Sequence, residues 1–87
     1  MSEVKFLAQA TGNEPLISRA FAAYFREAAR EGAQFPQPAN DSYLCELDGR
    51  RYVVLRNING ILRVYRVRPS DGVLRAMKRW PKELEEQ

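Results

Sequence analysis

Three Asx-Gly dipeptides, Asp48-Gly49, Asn59-Gly60 and Asp71-Gly72, punctuate the second half of an 87-residue chain at intervals of eleven and twelve residues. Asp-Gly and Asn-Gly are the preferred two-residue hairpin loops, because type I′ turns need positive φ at both central positions and these residues tolerate it. The runs between them, Tyr43 to Leu47, Arg50 to Ile58, Ile61 to Arg68 and Val73 to Trp80, are rich in valine, leucine, isoleucine and tyrosine. The spacing therefore predicts an antiparallel meander over residues 42–80, three- or four-stranded. Its last run is ambiguous, since Leu74, Met77 and Trp80 also carry a helical spacing of three. Pro81 stops that run either way, and residues 81–87 predict a short terminal helix with Leu84 packing back near Trp80.

Ahead of the meander lies one helical segment, residues 11–32. Ile17, Phe21, Tyr24 and Ala28, joined by Leu16 and Ala20, form one apolar stripe, while Arg19, Arg26, Glu27, Arg30 and Glu31 take the remaining surface. Thr11 or Asn13 is suited to cap it, Pro15 fits its first turn, and Gly32 is its natural stop. Residues 1–10 read as an arm or short strand. Residues 33–41, with Pro36 and Pro38 and no period, read as a linker. The length supports one core, so residues 1–87 are expected to form a single domain. The fold class is α+β: one amphipathic N-terminal helix packed on a three- to four-stranded antiparallel meander, with a short C-terminal helix.

Two-residue loops would fix the register, pairing Leu47 with Arg50, Ile58 with Ile61 and Ser70 with Val73. One sheet face then collects Tyr43, Cys45, Leu47, Arg50, Tyr52, Val54, Arg56, Ile58, Ile61, Arg63, Tyr65, Val67, Leu74, Ala76, Lys78 and Trp80, and is the expected seat of the helix. The other collects Leu44, Glu46, Arg51, Val53, Leu55, Asn57, Leu62, Val64, Arg66, Arg68, Val73, Arg75, Met77 and Arg79. One helix covers one face, so the second is expected to meet solvent or a partner.

The charge pattern gives that second face its interest. Residues 50–82 hold ten basic side chains and a single acid, Asp71, although the whole chain is only +3. Arg51, Arg68 and Arg75 would form a cross-strand row with Arg66 beside it and Arg79 on the same face. Like charges facing each other on a sheet are unfavourable by up to about 1 kcal/mol, so such a row is either compensated or used. It has two readings: guanidiniums splayed into water over aliphatic stems with Glu46 offsetting one, or an anion-binding surface whose arginine forks match phosphate. The same face would expose Val53, Leu55, Leu62 and Val64. That aliphatic patch is expected either to join a second copy of the chain or to be covered from within it by Val4 and Phe6 or by Phe35 in the linker. A second cluster, Arg56, Arg63 and Trp80, is a stacking and anion candidate on the helix side. Its competing reading is packing, with Glu27, Glu31 or the terminal glutamates neutralising the arginines.

Several classes of chemistry are excluded or disfavoured. The chain has no histidine and one cysteine, so no imidazole base, no structural zinc site and no internal disulfide is available. No metal and no cofactor are expected, and no phosphate-cradling glycine loop or nucleotide fingerprint is present. No apolar run approaches the ~20 residues of a spanning helix, so no membrane role is expected. The unpaired thiol and the lack of an export signal favour the cytoplasm. Asp48 and Asp71 are accounted for as turn residues, Glu27 and Glu31 as helix surface, and Cys45 as a packed apolar group. The expectation is a non-enzymatic binding module that engages nucleic acid or an acidic protein through Arg51, Arg66, Arg68, Arg75 and Arg79. One alternative is a homodimeric structural or regulatory protein. The other is a small ribonuclease working through Arg56, Arg63, Tyr65, Lys78 and Trp80 by electrostatic stabilisation of a phosphorane.

Overall fold

The computed structural model describes residues 3–9, 15–32, 36–39 and 41–86. They form β1 (Lys5–Gln9), α1 (Pro15–Glu31), β2 (Tyr43–Leu47), β3 (Arg50–Asn57), β4 (Gly60–Val67), β5 (Leu74–Met77) and a 3-10 turn, Lys82–Glu86. The five strands make one antiparallel sheet in the order β1-β2-β3-β4-β5. The α+β class and the meander hold. The strand count does not, because residues 5–9 add a fifth strand by pairing with β2, which also makes the helix the second element rather than the first. The C-terminal segment is a 3-10 turn, not an α-helix. The proposed caps Thr11 and Asn13, and Phe35, lie outside the described residues.

Helix α1 buries Ile17, Ala20 and Tyr24 and packs against β3, β2 and β5. It ends where Gly32 turns left-handed at φ 65°, its N–H donating to Ala29 C=O at 3.3 Å. In the β2–β3 hairpin, Asp48 (φ 54°) and Gly49 (φ 76°) take the two positive-φ positions, and Leu47 faces Arg50 as the dipeptide predicts.

The next hairpin departs from expectation twice, in a turn displaced by one residue and in a bulge that follows it, and the bulge decides the faces. Its loop is Ile58-Asn59, closed by an Asn57–Gly60 pair. Asn57 Oδ1 accepts the Asn59 N–H at 2.8 Å, so the turn starts one residue early on an Asx bond. Neither Ile58 nor Asn59 has positive φ; the left-handed demand falls on Gly60 at φ 120°. A bulge then leaves Leu62 unmatched, since Leu55 faces Arg63 while Arg56 faces Ile61. Beyond it Val54 pairs with Val64 and Val53 with Tyr65, where the two-residue loop would pair Leu55 with Val64. A one-residue slip moves every side chain of the following strand to the other face. Strand β4, and β5 with it, is thus inverted relative to β2 and β3.

This inversion corrects both predicted faces. The helix-covered face combines Leu44, Val53 and Leu55 with Tyr65 and Val67, packed under Ile17, Ala20 and Tyr24. The opposite face combines Tyr43, Cys45, Leu47, Tyr52 and Val54 with Val64. The 3-10 turn seals it by burying Leu84, flanked by Val4, Ile61, Met77 and Trp80. The Tyr43 hydroxyl ties the turn down by donating to Leu84 C=O at 3.2 Å. The sheet is therefore covered on both sides. Val53, Leu55 and Val64 are fully buried within the chain and Leu62 partly so, which removes the exposed aliphatic patch on which the homodimer expectation rested. The cover comes from α1 and the 3-10 turn; Val4 contributes beside Leu84, while Phe6 remains more than half exposed against Tyr43.

Candidate anion-binding site

The last hairpin gathers the arginines. Strands β4 and β5 pair Arg66 with Arg75 directly, and Val67 with Leu74. The loop between them is longer than Asp71-Gly72 alone. Arg68 N–H donates to Val73 C=O at 2.9 Å, Gly72 N–H donates to Arg68 C=O at 2.8 Å, and Gly72 carries the positive φ of 73°. Asp71 organises this loop from its side chain. One carboxylate oxygen accepts the Val73 N–H at 3.1 Å and the other accepts from Arg68 Nη1 at 3.3 Å. The lone acid of the basic segment thus serves the turn and holds one guanidinium in place.

Strand alternation carries Arg66, Arg68 and Arg75 to one face, where with Pro69 they line a pocket of about 150 Å³. Arg66 and Arg75 have no ion pair among the described residues. The cross-strand repulsion between them is uncompensated by any described carboxylate, a cost that a bound anion offsets. Strand positions fix the Cα atoms of Arg66 and Arg75, and Asp71 restrains the Arg68 side chain.

The remaining predicted members sit elsewhere. Arg51 lies on the helix side of β3, paired with Val67 and Glu46, because the register slip took β4 and β5 to the opposite face. The position that shares the pocket's face is Arg50, whose signal was only its neighbourhood to Arg51. Arg79 is exposed beyond the end of β5 and does not line the pocket.

The second cluster is split. Arg56 and Trp80 do come together, lining a pocket of about 250 Å³ with Gly60, Ile61 and Glu85. Arg63 is on the other face, where its Nη2 meets Glu27 Oε1 at 3.1 Å beneath α1. Arg56 Nε lies 3.2 Å from Asp41 Oδ2, and its backbone is gripped by the buried Ser42 and by Ala39. Trp80 packs against the second core cluster and donates from Nε1 to Glu85 Oε1 at 3.2 Å. Packing and neutralisation by carboxylates describe this cluster better than ligand stacking.

The ribonuclease set is dispersed in the same way. Arg63 and Tyr65 lie under the helix, Arg56 and Trp80 on the far face, and Lys78 in the bend after β5. Burial pushes the Tyr65 phenol up, and its hydroxyl has no hydrogen-bond partner among the described residues. Burial likewise raises the Tyr24 phenol, which donates to Pro36 C=O, and lifts Tyr43 to about 12 and the Cys45 thiol to about 11. These groups hold their protons at neutral pH. Among the described residues, no group of three or more Cys, Asp or Glu is placed to hold a metal ion, and no helix is long and apolar enough to cross a membrane.

Fold and site together define a small α+β domain, a five-stranded antiparallel sheet with one helix on one face and an arginine pocket at one end of the other. Comparison with protein-family models, with curated proteins and with solved structures returns no match.

Proposed function

We propose that this chain is a non-enzymatic binding module that engages the phosphate backbone of nucleic acid at Arg66, Arg68 and Arg75. The observation that carries this reading is a pocket of about 150 Å³ that, among the described residues, is lined by three arginines, Arg66, Arg68 and Arg75, together with Pro69. A guanidinium fork matches two phosphate oxygens at once, and the several oxygens of a phosphate can be shared among more than one fork. Arg50 lies on the same face, one step beyond the Arg51–Val67 pair and so beside Arg68, which gives a polymer carrying phosphates at regular intervals further positive charge next to the pocket.

Fluorescence anisotropy with labelled single- and double-stranded DNA and RNA, titrated at low and moderate salt, tests this reading. Binding is expected at low salt and is expected to weaken steeply as salt rises. The triple variant Arg66→Ala, Arg68→Ala, Arg75→Ala is expected to flatten the log–log salt slope by roughly 2 to 3, at about 0.7 to 0.9 per lost phosphate contact. No binding to any of the four ligands at low salt, or an unchanged slope in the triple variant, overturns it.

A further inference from the structure

We infer that the free edge of β5 receives an extended acidic peptide, which adds to the sheet as a sixth strand with its side chains between arginines on both faces. Strand β5 is the terminal strand of the sheet order, and no described segment bonds to its outer side. The Arg68 N–H to Val73 C=O bond fixes the phase of the β4–β5 ladder. Residue pairs alternate along an antiparallel ladder between those that exchange both bonds and those that exchange none. Pairs 68–73 and 66–75 are therefore of the bonded kind, and pairs 67–74 and 65–76 of the other. It follows that the N–H and C=O groups of Leu74 and Ala76 point away from β4, toward the open edge.

The surroundings of that edge select the occupant. On the helix side, α1 and the start of β5 enclose a groove of about 290 Å³ lined by Arg19, Ala22, Ala23, Arg26, Val73 and Leu74. Arg19 and Arg26 stand two helical turns apart and have no ion pair among the described residues, and the two alanines between them leave room for an incoming side chain. On the other face the edge presents Arg75. Alternate side chains of an added strand point to opposite faces, so acidic residues find cations on both. Val73 and the exposed Ala76 supply a small apolar contact between them. A second copy of this chain is a poor occupant: pairing β5 with itself brings Arg75, Arg19 and Arg26 toward their own images, and facing like charges on a sheet are destabilising. The opposite edge is not equivalent, because β1 is interrupted by a register shift between Phe6 and Ala8.

The test is a titration of the full chain, followed by NMR or anisotropy, with a capped peptide of alternating glutamate and valine. Two control peptides accompany it: one with lysine for glutamate, the other N-methylated at alternate residues so that it cannot donate to the edge. Saturable binding is expected for the first alone. Ala76→Pro removes the outward N–H without breaking a β4–β5 bond, and is expected to weaken the peptide at least tenfold while leaving far-UV circular dichroism unchanged. The double variant Arg19→Ala, Arg26→Ala is expected to weaken it about tenfold and lower its salt sensitivity. Neither change touches Arg66 or Arg68, so nucleic-acid binding is expected to survive both, and the two readings fail separately. Equal binding of the N-methylated peptide, or undiminished binding by a folded Ala76→Pro variant, overturns the inference. So does dimerisation in sedimentation equilibrium that Ala76→Pro abolishes and the acidic peptide does not displace.

Discussion

Leu84→Ala tests the two-sided construction of the sheet most directly. Leu84 is 0 % exposed and joins the 3-10 turn to the cluster of Tyr43, Cys45, Leu47, Tyr52, Val54 and Val64. The substitution removes about three carbons; at roughly 0.8 kcal/mol per buried CH₂ the transfer loss is about 2.4 kcal/mol. A cavity contribution adds to this, although the turn is short and can settle inward, which holds the total near the lower part of the ~2–5 kcal/mol range for such truncations. About 3 kcal/mol is the expected loss. A domain of this size moves by roughly 4–8 °C per kcal/mol, so the thermal midpoint is expected to fall by about 12–24 °C. Urea unfolding followed by far-UV circular dichroism gives the free energy, and Ile58→Ala, at a turn residue 96 % exposed, is the control expected to stay within about 0.5 kcal/mol. Tyr43→Phe, which deletes the bond to Leu84 C=O, is expected to cost about 1 kcal/mol alone and less on top of Leu84→Ala, since both act through one docking event. A Leu84→Ala loss under about 1 kcal/mol, no larger than the control's scatter allows, refutes the claim that this turn seals the second face.

Two other predictions follow from local chemistry. Gly60→Ala places a Cβ in open space but at φ 120°, so its cost is backbone strain alone, on the order of 1–3 kcal/mol by urea unfolding, with no relief from any compensating cavity. Alkaline stability has a defined window. Burial raises Cys45 from 9.0 to about 11 and Tyr43 from 10.0 to about 12, so both are protonated in the folded state while the unfolded chain ionises. Stability is then fully present below about pH 9, falls from pH 9 to 11 on account of the thiol and from 10 to 12 on account of the phenol. Urea midpoints measured across pH 8 to 12 check this, and Cys45→Ala is expected to remove the earlier part of the decline.

What was legible in the sequence depended on whether one local chemistry had a competitor. At Asp48-Gly49 none exists, and the hairpin, its register and the alternation of β2 against β3 follow from the dipeptide. At Asn57-Ile58-Asn59-Gly60 two solutions compete. A type I′ turn on Asn59-Gly60 needs an asparagine at positive φ, whereas the Asx bond from Asn57 leaves positive φ to glycine alone. The second costs less strain and keeps Arg56 on the same face as Ile61; the bulge at Leu62 that follows it is what brings Tyr65, in place of Val64, to the face of Val53 and Leu55. The arginine site was legible to the extent that its members share β4, β5 and their loop. Arg66 and Arg68 alternate onto one face of β4 and Arg75 pairs with Arg66 across the ladder, so the three stay together whichever face β4 takes. Arg51 was tied to them only across the β3–β4 hairpin, whose bulge carries no sequence signal of its own. The five-residue strand β1, four of whose residues pair with β2, carried little signal, because Val4, Phe6 and Ala8 alternate over too short a stretch to separate an arm from an edge strand.

The bulge in β1 gives the sheet a direction of growth. A sheet with two intact edges can accept a neighbour on each, and when the two edges belong to different surfaces of one molecule, copies adding head to tail run on as a filament unless the rotation between them closes a ring. Here the break between Phe6 and Ala8 disturbs the regular ladder at one end, while β5 keeps its outward groups at the other. A copy that adds through β5 therefore meets no regular second edge at β1, and the irregular strand opposes head-to-tail growth of the sheet.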